Sequence, residues 1–474
     1  MNEGFLNCQP SRRGFLARVG SGLGMLALAD MLHQTGRADF SLPDAADPLA
    51  PRTGHFPARA KAVIWLYMYG APSGIDTFDP KPELDKRHGQ RLPGNVDVFF
   101  GHPGPLMRSP FTFKKYGQCG AQVSELFPNV AQHVDKLTFL KACSANSNNH
   151  APAVLQMNTG VIRVGRPSAG AWVTYGLGSV NRNLPGYVVM HDYRSVPVGG
   201  APNWGCGFLP AAYQGVTFRP GRRPLLYLER PAGVDARRQR EQLDLLKQMN
   251  ERHRAAHPGE SELEGRIESF ELAYRMQTEA PDVVNLEDET EATRELYGMN
   301  DAVAEPYGSR LLLARRLVER GVRFVQVYSG GTKANWDAHS AIELNHRQRC
   351  AEVDKPIAGL LQDLQQRGML KDTLVIWGAE FGRMPISQGS DGRDHNPNAF
   401  LMWLAGGGLK PGISFGASDD IGYMPAADSV SVHDFHATLL YLLGLDHKKL
   451  TYEHDGRSMR LTDVSGRVIN EIIA

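Results

Sequence analysis

Short, unbroken apolar runs punctuate the chain. They stand at 62–69, 137–140, 187–190, 225–228, 322–328, 373–377 and 400–405. A run of roughly four to eight residues without polar alternation is the pattern of a strand covered on both faces. Between several runs the period becomes that of a helix. Leu311, Leu312, Ala314, Leu317 and Val318 mark one apolar face, and Gly321 stands where a helix end favours glycine. Val353, Ile357, Leu360, Leu361 and Leu364 mark another, closed by Gly368. Helix then strand, repeatedly, predicts an α/β fold with a central, mostly parallel sheet flanked by helices. Residues 231–300 break the pattern. They are charged and strand-poor, with helical spacing at 236–257 and 260–278, and read as a helical insertion in one domain spanning 61–474.

In such a sheet, ligands bind beyond the carboxyl ends of the strands, so the polar residues after each run carry the interest. The run 62–69 leads to Asp76 through Gly70-Ala71-Pro72-Ser73-Gly74, which is not the G-x-S-x-G of a nucleophile elbow. Run 322–328 leads to Asp337 and His339, run 373–377 to Glu380 and Arg383, and Asp394 and His395 precede run 400–405. Singly, each has an ordinary structural explanation: Asp76 and Asp337 as caps or turn residues, His339 as a surface group. Together they place several carboxylates and imidazoles at one sheet edge, which is electrostatically costly without a cation. A divalent metal site is therefore expected at Asp76, Asp337, His339, Glu380, Asp394 and His395. Nitrogen and oxygen donors suit Zn, Mn or Ca alike.

Composition narrows the partners. The 474 residues carry 52 basic and 51 acidic side chains, a net charge of +1, with no clustered basic stretch of the kind nucleic acid requires. Cys8, Cys119, Cys143, Cys206 and Cys350 form no C-x-x-C pair, which argues against a thiolate zinc site; one or two disulfides are open, and nothing fixes their pairing. At the amino terminus, Arg12 and Arg13 precede a mild Gly-rich apolar run at 19–29, the pattern of a twin-arginine signal over 1–32, with Ala27-Leu28-Ala29 as a cleavage site and a linker over 33–60. An amphipathic helix with a chance arginine pair is the alternative. The signal predicts a periplasmic or extracellular protein, exported folded, that touches the membrane only if the signal stays uncut.

Longer motifs carry a resemblance. Gly74-Ile75-Asp76-Thr77-Phe78-Asp79-Pro80-Lys81-Pro82, Asn149-His150-Ala151-Pro152-Ala153, Glu380-Phe381-Gly382-Arg383, Arg393-Asp394-His395-Asn396-Pro397 and Val432-His433-Asp434-Phe435-His436-Ala437-Thr438 are shared with the twin-arginine-exported domain-of-unknown-function family fifteen-oh-one. Over nearly the whole chain the sequence resembles that family, which sits in the alkaline phosphatase and sulfatase clan. The clan's first Asp ligand matches Asp76, its Asp-His pair falls on Glu380 and Phe381, and its last His ligand matches His395. Its Asp-x-x-x-His pair is only loosely echoed by Asp337 and His339. The clan's Ser, Thr or modified Cys nucleophile falls on His150, ten residues before Gly160, with Pro152 retained.

The resemblance implies a metal-dependent hydrolase of phosphate or sulfate esters acting on a small molecule or polysaccharide. His150 would be a phosphoryl- or sulfuryl-accepting imidazole, an acid/base or a further ligand, with Arg166 and Arg383 as clamps on the anion or as structural groups. The alternative is an exported binding or assembly protein that kept the fold without turnover, as the missing hydroxyl and Phe381 argue. His433, Asp434 and His436 read as structural.

Overall fold

A computed structural model describes residues 47–474, except 95, 100, 222, 227, 229, 231, 232 and 257–260. The twin-arginine segment with Arg12 and Arg13, and Cys8, lie outside the described residues. The central sheet is built from β1 (Ala62–Met68), β2 (Leu137–Ser144), β3 (Tyr187–Met190), β4 (Val216–Phe218), β5 (Phe324–Ser329), β6 (Thr373–Gly378), β9 (Phe400–Gly406), β10 (Ile413–Phe415) and β11 (Val430–Ser431). A hairpin, β7 (Gly382–Gln388) and β8 (Gly392–Asn396), lies between β6 and β9 in the chain. The strand order is β10-β2-β9-β6-β1-β5-β3-β4, with β11 also on β2. All pairs are parallel except those of β9, which runs antiparallel to both β2 and β6. The sheet is thus mixed. The apolar run at 225–228 forms no strand among its described residues; Val216–Phe218 pairs with β3 instead.

The unbroken apolar β1 lies between β5 and β6, and all seven of its residues are buried. Helix α5 (Glu305–Glu319) packs on β1 and β5, with α6 (Ile342–Gln366) beside it. On the other face Phe435 of α7 (Val432–Leu442) meets Trp65 edge-on at 5.4 Å. Trp377 and Trp403, directly paired across β6 and β9, stack at 5.9 Å. Where a helical insertion is expected stand α3 (Ala236–Ala256) and α4 (Ser261–Val284). Among the described residues no two cysteines are joined by a disulfide.

Register is what places a site. Met68 pairs with Ser329 and Tyr67 with Gly378, so β1, β5 and β6 end level and release their loops side by side.

Two histidines are buried inside this frame. His346 of α6 accepts the Ser73 N–H at Nε2 (3.0 Å), and His436 of α7 donates from Nε2 to the Met157 carbonyl (2.9 Å) while its Nδ1 has no partner among the described residues. Burial dominates in both and lowers their pKa values, to about 4 for His346 and about 3 for His436. The unfolded chain binds these protons near pH 6.5, so stability is full above that pH and declines as pH falls toward 4. Each site is expected to lose about 1.4 kcal/mol per pH unit in that window. Urea melts between pH 7 and 4 should show the decline, and His436→Gln should make it shallower.

Candidate metal centre

The loop after β1 turns back at Gly70, whose φ is +101° and whose added Cβ would lie 2.7 Å from the backbone nitrogens of Trp336 and Asp337. A side chain there is excluded both by the left-handed backbone and by this contact. The close approach lets the β1 and β5 loops interlock, because Trp336 N–H donates to the Tyr69 carbonyl (3.0 Å). Asp337 follows, its N–H held by the Asn335 side chain (3.2 Å). Glu380, two residues past β6, receives the Gly70 N–H (2.9 Å). His395 sits on β8 opposite Arg383 on β7. The last contributor is α1 (His150–Thr159), whose N-cap Asn149 accepts the Ala151 N–H and leaves His150 as first residue.

These elements bring three imidazoles around one carboxylate. His150 Nδ1 lies 2.6 Å from Glu380 Oε1, and its Nε2 lies 3.3 Å from Asp337 Oδ2 without forming a hydrogen bond. His395 Nδ1 lies 2.5 Å from the Asn148 carbonyl, and its Nε2 3.2 Å from Asp337 Oδ1. His339 Nε2 is 3.1 Å from the same oxygen. Oxygens stand at both nitrogens of each ring, and binding a metal at Nε2 requires the ring protons of His150 and His395 to sit on Nδ1. Their Nε2 lone pairs then face a carboxylate, a repulsive arrangement unless a cation lies between them. Histidine ligands are commonly fixed in this way, by an oxygen partner on the other nitrogen. Ligand atoms of His150, Asp337 and His395 all lie within 4.8 Å of one another, as do those of His339, Asp394 and His395. The first set, two imidazoles and a carboxylate with coordination positions to spare, fits Zn or Mn; its nitrogen content disfavours Ca.

Without an ion the electrostatics differ from ring to ring. Burial works against ionising Asp337, but Arg383 (2.7 Å) and the three imidazoles outweigh it and hold its carboxyl well below the usual range. Burial also opposes charge on His150, yet Asp337 and Glu380 raise its pKa. In His395 burial wins and lowers the pKa to about 3, leaving a neutral ring able to coordinate.

Of the residues expected from sequence, His150, Asp337, His339, Glu380, Asp394 and His395 converge. Glu380 and Asp394 differ from the others in how they are used. Glu380 orients His150, and Asp394 accepts the Phe99 N–H (2.6 Å). Asp76 is a correction. It is fully buried and taken by Arg393, at 2.7 and 3.1 Å, and by the Ser73 hydroxyl at 2.5 Å. Arg383 is a correction as an anion clamp. Its donors go to the carbonyls of Ala71, Arg393 and Gly70 and to Asp337. Arg166 is another. It lies against Phe208 and the Met459 sulfur rather than at the centre. Sequence reading missed Arg393 as Asp76's partner, although it adjoins Asp394 and His395. It also missed Phe99, stacked 5.0 Å over His395, and the Asn148 carbonyl, which no motif announces. Phe381 packs on His150 and His395 at 4.7 and 4.6 Å. His433 and His436 bond to the Gly160 and Met157 carbonyls, and Asp434 completes a capping box with Ser431.

Fold and site thus define an α/β protein with a histidine–carboxylate centre at the carboxyl edge of its sheet. The chain belongs to the family described as Protein of unknown function (DUF1501), whose model matches residues 60–473. Comparison with curated proteins found no match. Solved structures similar to it include alkaline phosphatase from the Antarctic bacterium TAB5, at 10% identity and a TM-score of 0.32 over 81% of this chain and 98% of that one. The PsFucS1 sulfatase from Pseudoalteromonas sp. is similar at 12% identity, with a TM-score of 0.35 and 82% and 68% coverage. The lipoteichoic acid synthase LtaP from Listeria monocytogenes is similar at 8% identity, with a TM-score of 0.34 and 88% and 79% coverage.

The geometry separates ligands from neighbours. His395→Ala is expected to lose bound divalent metal in elemental analysis. Glu380→Gln should weaken metal affinity by roughly 10–100-fold. Asp76→Asn should keep the metal yet melt earlier, because Arg393 is left buried without its counter-charge. Metal loss in Asp76→Asn with an unchanged melting temperature would contradict this assignment.

Proposed function

We propose that this protein is an exported, metal-dependent hydrolase of phosphate or sulfate esters in which water, rather than a side chain, attacks. The observation that carries the reading is the pair of imidazoles, each anchored by an oxygen at Nδ1 and turning Nε2 to Asp337. His150, Asp337 and His395 would hold the ion. The chemistry a divalent ion supplies in such a place is polarisation of an ester oxygen and activation of water near neutral pH.

Protein groups supply the rest. Neither Ser144 nor Ser147 takes the nucleophile's place: Ser144 faces Ser429, and Ser147 bonds within its own turn to Asn149. Glu380, buried beside the Tyr67 hydroxyl, would take water's proton. Hydrolysis then forms the bond from water oxygen to phosphorus or sulfur and breaks the bond to the alcohol. One proton passes to Glu380 and one to the departing alkoxide. Tyr69, Phe381 and Phe99 ring the imidazoles and limit bulk water. The pair Arg12 and Arg13 supports export, and among the described residues no helix is long and apolar enough to cross a membrane.

Ester cleavage by purified protein should vanish with a chelator and return with Zn or Mn. His150→Ala should lower kcat at least ~100-fold. Stoichiometric metal without turnover of any ester would favour a binding protein. Replacing Arg12 and Arg13 by Lys should leave the protein in the cytoplasm, which fractionation reads directly.

A further inference from the structure

His395 is sealed where its neighbours in the centre are open. Its side chain is 1% exposed, against 15% for His150, 23% for Asp337 and 27% for His339. Solvent thus meets the centre at Asp337 and His339. The cover on His395 is aromatic: Phe381 lies 4.6 Å from it at 38°, and Phe99 stacks on it at 5.0 Å and 27°. The Phe99 N–H also donates to Asp394 Oδ2 (2.6 Å), so one residue grips both His395 and the residue before it. Phe99 comes from outside the strand-end loops that build the centre. It stands in the stretch 91–105, which forms no helix or strand among its described residues. The base of this loop is closed, by the Gly89 N–H to the Leu106 carbonyl (2.9 Å) and the Leu106 N–H to the Gln90 carbonyl (2.8 Å). Leu106 bridges to Ile386 of β7, and Val96 is buried among Ile75, Leu84 and Met384. A compact loop closed in this way can present a side chain at a set place.

We infer that Phe99 is a positioning residue of the metal centre, whose ring fixes the plane in which His395 presents Nε2 and so slows release of the ion. The inference rests on the metal centre proposed above and does not depend on turnover. The Asn148 carbonyl holds one atom of the His395 ring, which leaves the ring free to swing about that contact. A stacked face removes that freedom. A ligand already held in its bound orientation loses less entropy when it takes the ion, and groups around the ligands tune affinity in this way. The effect calls for a flat ring, because an aliphatic side chain fills space without setting a plane.

The test loads the full-length protein with Zn and follows its release into an excess of a chromogenic chelator. Phe99→Ala should release Zn faster than the parent by ~10-fold or more, and Phe99→Tyr at close to the parent's rate. Phe99→Leu keeps apolar bulk without a flat face and should release Zn as Phe99→Ala does. A second readout needs no ion: in metal-stripped protein, diethyl pyrocarbonate should label His395 ~10-fold faster in Phe99→Ala than in the parent, as mass spectrometry reads. Zn release at the parent's rate from Phe99→Ala overturns the inference and leaves the metal centre standing. Full restoration by Phe99→Leu overturns it too, since Phe99 would then be filling alone, as does unchanged labelling of His395. A parent that binds no Zn overturns the metal centre itself, and the inference with it.

Discussion

Arg383 is the group on which the arrangement of the centre depends. Its guanidinium is buried where the loops of β1, β5 and the β7–β8 hairpin meet, and it bonds to the Gly70, Ala71 and Arg393 carbonyls and to Asp337. Loop carbonyls at a buried sheet edge need donors, and a planar group with five N–H bonds can serve several at once. A lysine could not reproduce that fork. The same charge holds Asp337 ionised against its own desolvation. One side chain therefore fixes both the geometry of three loops and the protonation of the carboxylate they surround. The bond to the Arg393 carbonyl also links this cation to the strand whose own arginine closes on Asp76. The two guanidinium groups divide the labour, one organising the centre and one sealing a neighbouring acid from it.

Much of this frame is legible in the sequence. Unbroken apolar runs at 62–69, 187–190 and 373–377 correspond to β1, β3 and β6 within a residue or two, because a strand buried on both faces leaves no room for polar alternation. The run at 225–228 misleads, since apolar composition alone does not say whether a neighbouring strand is available. Val216–Phe218 takes the edge beside β3 with only one fully buried residue to advertise it. The antiparallel course of β9 is equally silent in its composition, for direction is set by the hairpin before it.

At the centre, the acidic and imidazole residues after each run were visible as candidates because their position relative to a strand end is local information. Their division of roles was not. Asp76 and Asp337 stand in comparable places after parallel strands, yet one is neutralised by Arg393, more than 300 residues away, and the other by histidines and Arg383. Pairing of charges across such separations is decided by packing. A backbone oxygen such as that of Asn148, which orients His395, has no residue-type signature at all.

The helix α1 gives the centre a mechanical reach. Its first residue is His150, while its far end is tied down by bonds from His433 to Gly160, from His436 to Met157 and from Gln326 to Asn158. Ten residues of α-helix form a stiff rod of about 15 Å. Tethered at one end and carrying an imidazole at the other, it acts as a pointer whose aim is set from its base. Disturbance of α7 would thus be felt at the centre as a change of angle, with the fold intact and the imidazole displaced from the carboxylate it faces.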